Sequence, residues 1–288
     1  MSSFSSSKLV ASKNIIVKGS SRDTRGVANN KRSLGSGGEF QHISEYIYGE
    51  PFRNIDSAAS ARTGRYQVKR YYNDAGKSSL IILDPTHSMH FGSSVSKWRT
   101  ALEVCEVIFL ALTRDGDKVR IVAPGVLDSG YIGAESFLES VHKLKSSIGK
   151  DVNQYSSFLK GDLNIARYSS IVLITDIFSF NNEQIVFSQR CSEYNSLTVI
   201  RIVDSVETSI PITKSALTFI DQENGKTVRT VVDHDFKLKY DAYVLNFMKT
   251  SEKVLNNLSA DVINITNGPE YLSDIVGKLS SRSSYARS

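Results

Sequence analysis

From Ser79 onward the chain alternates short, β-branched apolar runs with longer amphipathic stretches, and this alternation constrains the fold more than any other feature. The runs are Ser79–Leu83, Lys118–Ala123, Ser170–Thr175, Leu197–Val203 and Asp261–Ile265. Each is bounded by polar residues or glycine, as buried parallel strands are. Between the first two, Trp98, Leu102, Cys105, Phe109 and Leu112 recur three or four residues apart, which places them on one helical face over 97–113. The spacing predicts further helices over 135–144, 182–194, 236–258 and 269–279. Residues 125–131 and 217–232 read as added hairpins, the second turning at Asn224-Gly225 and lying at an edge of the sheet. Strands alternating with helices specify an α/β domain with a mostly parallel sheet and helices on both faces.

Composition narrows the class. Of the 288 residues 40% are hydrophobic, enough for a full core. No run approaches the roughly 18 consecutive apolar residues of a membrane helix, and Met1–Ser7 lacks the apolar centre of a secretion signal, so a cytoplasmic protein is expected. Cys105 and Cys191 stand in helical patterns without a metal-ligand spacing, and read as reduced thiols packed like small hydrophobes. The net charge is +5, but its location matters more than its size. Lys8, Lys13, Lys18, Arg22, Arg25, Lys31 and Arg32 face only Asp23 within residues 1–38, so the rest of the chain is close to neutral. Ser-rich, basic and ending in glycine, residues 1–38 read as a flexible arm with at most a strand or helical turn around Lys8–Val17. A solvated arm, a transit peptide and a contact with nucleic acid or another anionic surface are the readings open to it.

Two acids fall at carboxyl ends of predicted parallel strands: Asp84, in Asp84-Pro85-Thr86-His87-Ser88, and Asp176, after Thr175. In an open α/β sheet that edge is where ligands bind. Carboxylates and hydroxyls are hard oxygen ligands suited to Mg²⁺, Mn²⁺ or Ca²⁺. The alternative is an Asp84 that only binds backbone amides. His87 and His90 offer a weaker nitrogen set without a third histidine. No GxxxxGK[ST], GxSxG or HExxH pattern is present, and a Ser88–His–Asp84 triad within one loop lacks the usual geometry, so no catalysis is expected.

The Asp84 loop resembles the metal-ion-dependent adhesion site of von Willebrand factor A domains, an Asp-x-Ser-x-Ser loop completed by a Thr and an Asp from two other loops. Asp84, Thr86 and Ser88 match the loop, with Thr in place of the middle Ser, and Asp176 matches the distal Asp; the second-loop Thr has no counterpart. Upstream stand Gly38-Glu39-Phe40, then Glu45-Tyr46-x-x-Gly49-Glu50-Pro51-Phe52-Arg53-Asn54-Ile55-Asp56, and Ala59-Ser60-Ala61-Arg62-Thr63-Gly64-Arg65. These resemble the hallmark of the bacterial domain of unknown function 58 family, with Glu50-Pro51 where an Asp pair is usual and Ser57 in place of a Trp. The resemblance spans roughly residues 35–280.

It implies a von Willebrand factor A-like fold over 79–280, preceded by a hallmark segment over 39–78 packed on it and followed by a flexible tail, 281–288. Arg53, Asp56 and Arg62 would form an ion-pair network that clamps the hallmark segment or meets a partner. Gly64 would turn the chain into a strand over 65–72. The resemblance further implies a protein-binding adaptor working with a MoxR-type AAA+ ATPase or its client. A divalent ion, Mg²⁺ first, would sit at Asp84, Thr86, Ser88 and Asp176. Many relatives carry membrane helices near the N-terminus. The competing expectation is a nucleic-acid or anionic-surface binder that uses the basic arm.

Overall fold

A computed structural model describes residues 4–20, 40–46, 55–71, 77–145, 152–161, 163–213, 216–221 and 225–280. The chain forms two units, one of Met1–Asp23 with Lys77–Ser288 and one of Thr24–Gly76.

Residues 4–20 are not a free arm: helix α1 (Ser6–Lys13) packs against other helices of the larger unit, and Ile15 and Val17 after it are fully buried. Its charges are answered by groups far away in the chain. Lys8 Nζ lies 2.7 Å from Glu106, Lys18 Nζ donates to the Ser259 carbonyl at 2.7 Å, and Arg114 donates to the Ser12 and Ile15 carbonyls. Composition signalled a solvated segment, but two apolar anchors and distant partners outweigh it. Residues 21–38 and 281–288 lie outside the described residues.

In the smaller unit, β1 (Phe40–Glu45) and β2 (Gln67–Tyr71) pair antiparallel around α2 (Ser57–Thr63). Asp56 caps α2, its Oδ1 accepting the Ala58 and Ala59 amides at 2.9 and 3.0 Å. Gly64 ends the helix at φ +68°, where the lack of a Cβ is needed. Arg62 is exposed in the last turn of α2, and Arg53 lies outside the described residues, as does the network expected around it.

The larger unit continues with β3 (Ser78–Leu83), α3 (Lys97–Arg114), β4 (Lys118–Ala123), β5 (Leu127–Ile132), α4 (Ala134–Lys145), α5 (Val152–Lys160), β6 (Ser170–Asp176), α6 (Asn182–Tyr194), β7 (Ser196–Val203), α7 (Ser205–Thr208), β8 (Ala216–Ile220), β9 (Thr227–Val231), α8 (His234–Asn257), β10 (Asp261–Thr266) and α9 (Tyr271–Ser280). One sheet runs β10-β7-β6-β3-β4-β5, parallel except for β5. The chain builds outward from β3 in one direction, returns, and builds outward from β6 in the other. This is a von Willebrand factor A-like, doubly wound α/β fold, and its topological switch point lies between β3 and β6.

The period of two along each strand divides the core. Ile81, Leu83, Val172, Ile174, Ile200 and Ile202 join the layer containing Phe109, Phe137 and Ile275. Leu80, Ile82, Ile171, Leu173 and Val199 join Tyr155, Phe187, Cys191 and Leu255 on the opposite face. Every one of these strand residues is fully buried, worth roughly 1.5–3 kcal/mol each. Both cysteines are buried and unpaired. The predicted 217–232 hairpin exists as β8 and β9, but it forms a two-stranded sheet of its own instead of extending the edge of the large one. Asn224 lies outside the described residues; Gly225 has φ +71°.

Candidate functional site

The two acids predicted at strand ends meet at the switch point. Asp84 follows β3, and its amide donates to the Ile174 carbonyl at 2.9 Å, carrying the ladder one residue further. Its side chain is fully buried. Oδ1 accepts the Thr86 amide at 3.0 Å, while Oδ2 accepts the hydroxyls of Thr175 at 2.7 Å and Ser179 at 2.8 Å. Burial, with the Asp176 charge adding to it, pushes the Asp84 carboxyl up to about 6 despite these hydrogen bonds. Thr86 and Ser88, in and beside the 3-10 turn over His87–His90, hold their hydroxyls 3.1 Å apart.

Asp176 closes β6. Its Oδ1 accepts the Ser179 amide at 2.6 Å, and its Oδ2 lies 3.1 Å from the ammonium of Lys97, the first residue of α3. Lys97 Nζ also lies 2.6 Å from Glu207 Oε1, on α7. Neither the Lys97 nor the Asp176 side chain is exposed by more than 1%. Burial works against the Lys97 charge, but Asp176 and Glu207 outweigh it and hold the ammonium above its ordinary pKa. Burial also raises Glu207, whose second carboxyl oxygen is buried without a donor among the described residues.

Sequence reasoning brought Asp84, Thr86, Ser88 and Asp176 to one place, and missed Lys97, Ser179 and Glu207. Lys97 had a signal: a cation in the first turn of a helix opposes the helix dipole and needs a reason to be there. Ser179, three residues beyond a strand-end acid, fits an Asp-to-amide turn. Glu207 had none, since α7 has only four residues and no periodicity.

The donor set does not fit a divalent cation as it stands. All four carboxylate oxygens of Asp84 and Asp176 already accept from protein donors, one of them from an ammonium. No three His, Cys, Asp or Glu side chains come together as a metal site among the described residues. The histidine alternative lacks the third ligand it would need among the described residues, and the His90 ring stacks on Trp98 with centroids 6.0 Å apart.

Beside these groups opens a cleft of about 750 Å³. Ser88, Asp176 and Glu207 line it together with apolar residues that include Phe178, Ile210 and Phe219. Phe178 continues into an aromatic cluster with Phe247, itself packed against Phe180 and Tyr243.

The profile of the family described as "Protein of unknown function DUF58" matches residues 42–247. Among curated proteins none matches the chain. Several solved structures are distantly similar, among them the following three. The conserved hypothetical protein BatB from Bacteroides thetaiotaomicron shares 15% identity over 73% of this chain and 100% of its own, with a TM-score of 0.40. An aerotolerance-related membrane protein from Bacteroides fragilis NCTC 9343 shares 16% over 72% and 100%, with a TM-score of 0.43. A von Willebrand factor type A protein from Catenulispora acidiphila shares 11% over 74% and 43%, with a TM-score of 0.38. In this chain no helix among the described residues is long and apolar enough to cross a membrane.

Proposed function

This chain belongs to the DUF58 family, and we propose that it is a cytoplasmic, non-catalytic adaptor that captures a partner protein at the carboxyl edge of its sheet. The partner is a MoxR-type AAA+ ATPase or that ATPase's client, the class the family resemblance implies. One observation carries the reading: the cleft at the switch point joins exposed apolar side chains, Phe178 at 41% exposure among them, to a floor of polar groups already locked by hydrogen bonds. Aromatic anchors beside a rigid polar floor are the makings of a protein-binding hot spot.

The same rigidity favours binding over turnover. The Thr86 and Ser88 hydroxyls face each other, and Asp84 already accepts from Thr175 and Ser179, so this carboxylate is engaged and not poised as a base for either hydroxyl. The competing nucleic-acid reading loses Lys8 and Lys18, both held within the fold.

The test is a direct titration of the purified chain with a purified MoxR-type AAA+ ATPase. Truncating Phe178 and Phe219 together to alanine is expected to weaken binding at least about tenfold, since anchors of this kind cost 2 kcal/mol or more. Unchanged affinity in a folded double variant would place the interface elsewhere.

A further inference from the structure

We infer that the Lys97 ammonium occupies the cation position of this von Willebrand-type site, so that the edge is built without a divalent metal. The inference concerns the site's own chemistry and stands whether or not an ATPase docks there.

The placement of Lys97 is the first support. An ammonium at the first residue of an 18-residue helix sits against the positive end of the dipole, and this one is also withdrawn completely from water. Both features oppose a charge, and two carboxylates from separate elements compensate. Asp176 arrives from β6 at 3.1 Å and Glu207 from α7 at 2.6 Å. The ammonium thus bridges the distal acid of the site to a second acid of the same chain.

The loop that delivers Lys97 is the second, independent support. The Lys97 amide donates to the Phe91 carbonyl at 2.8 Å, closing residues 91–97 into a compact turn. Asn267 ties it down by donating to the Val95 carbonyl at 2.7 Å and to Asp204 at 2.8 Å. A Cβ on Gly92 would fall 1.8 Å from the Val95 carbonyl oxygen, so the turn tolerates no side chain there. The backbone that leads to Lys97 is therefore held in one place, with the side chain starting beside Asp176 and Glu207.

The third support is charge. A divalent ion on Asp176 would lie within a few ångströms of the buried Lys97 ammonium, and at that range like charges repel strongly in a low dielectric.

Mn²⁺ titration of the full chain, followed by electron paramagnetic resonance, tests this. The wild-type protein is expected to bind Mn²⁺ no tighter than about 1 mM, the weak end of oxygen-ligand sites. Lys97→Ala, which leaves the acids and removes their ammonium, is expected to bind at least tenfold tighter and to gain thermal stability from the ion. Lys97→Arg, which keeps the charge, is expected to behave like wild type. Micromolar Mn²⁺ binding by the wild type would overturn the inference, as would a folded Lys97→Ala variant with no gain in affinity. Should Lys97→Ala fail to fold, amine acylation of the wild type mapped by mass spectrometry decides. Lys97 is expected to stay unlabelled equally in Mg²⁺ and in chelator, whereas labelling that rises with Mg²⁺ would show the ion displacing it.

Discussion

Thr175 donates its hydroxyl to Asp84 at 2.7 Å, across two neighbouring strands whose ends carry the two acids of the site. This bond and those from Thr86 and Ser179 stabilise a carboxylate that burial and Asp176 disfavour, and burial wins, leaving Asp84 at about 6 against an ordinary 3.8. Between those values the folded chain retains a proton that the unfolded chain has released. Stability from this group is therefore greatest below pH 4, falls through the window, and stays low above pH 6. Asp84→Asn removes the titration. It is expected to exceed wild type in stability by roughly 1–3 kcal/mol at neutral pH, with the advantage gone near pH 4. Urea denaturation of both proteins across that range measures the difference; a gap that does not change with pH would contradict the assignment.

Asp204 should show the opposite sign. It is buried, yet its Oδ2 accepts from the Ser93 amide at 2.9 Å, the Ser93 hydroxyl at 3.1 Å and Asn267 at 2.8 Å, while Oδ1 caps α7 through the Val206 amide at 3.0 Å. Burial alone would raise it, but the donors outweigh burial and hold it below the ordinary carboxylate range. Its contribution is present above that range and is lost as pH falls through it. Asp204→Ala leaves buried donors unanswered and is expected to cost about 3 kcal/mol at neutral pH, with a smaller loss on acidification, both read from denaturant midpoints.

Gly19 has φ +78°, and a Cβ there would meet the Ser169 carbonyl oxygen at 2.4 Å. Gly19→Ala is expected to destabilise by roughly 2–4 kcal/mol, combining left-handed strain with a backbone clash. Gly116 is the control: φ is +85°, but nothing lies within 4 Å of an added Cβ, so alanine there should cost only about 1–2 kcal/mol of strain. Equal costs in thermal or urea unfolding would mean that the segment after α1 is not seated as described.

The central strands β3, β6 and β7 were legible because each is a short apolar run buried on both faces. Asn182–Tyr194 was legible to the residue because polar stops bracket it. What escaped depends on contacts remote in sequence. α1 carries serines and lysines, and its anchors Ile15 and Val17 come after the helix, so no periodicity announces it. At the site, Asp84 and Asp176 were visible from where their strands end. The ion pairs of Lys97 with Asp176 and Glu207 span 79 and 110 residues, and nothing local encodes such pairings. The hairpin over 217–232 was recognised by its turn, but turn chemistry says nothing about which sheet a hairpin joins.

Lys77 Nζ donates to the Ser20 carbonyl at 3.1 Å, so the chain leaves the larger unit and returns to it at one spot. The residues of the larger unit that flank the insertion are in direct contact. A short link can therefore join the two flanks in its place. Exchanging residues 24–76 for a short Gly-Ser bridge is accordingly expected to leave the six-stranded sheet intact by circular dichroism.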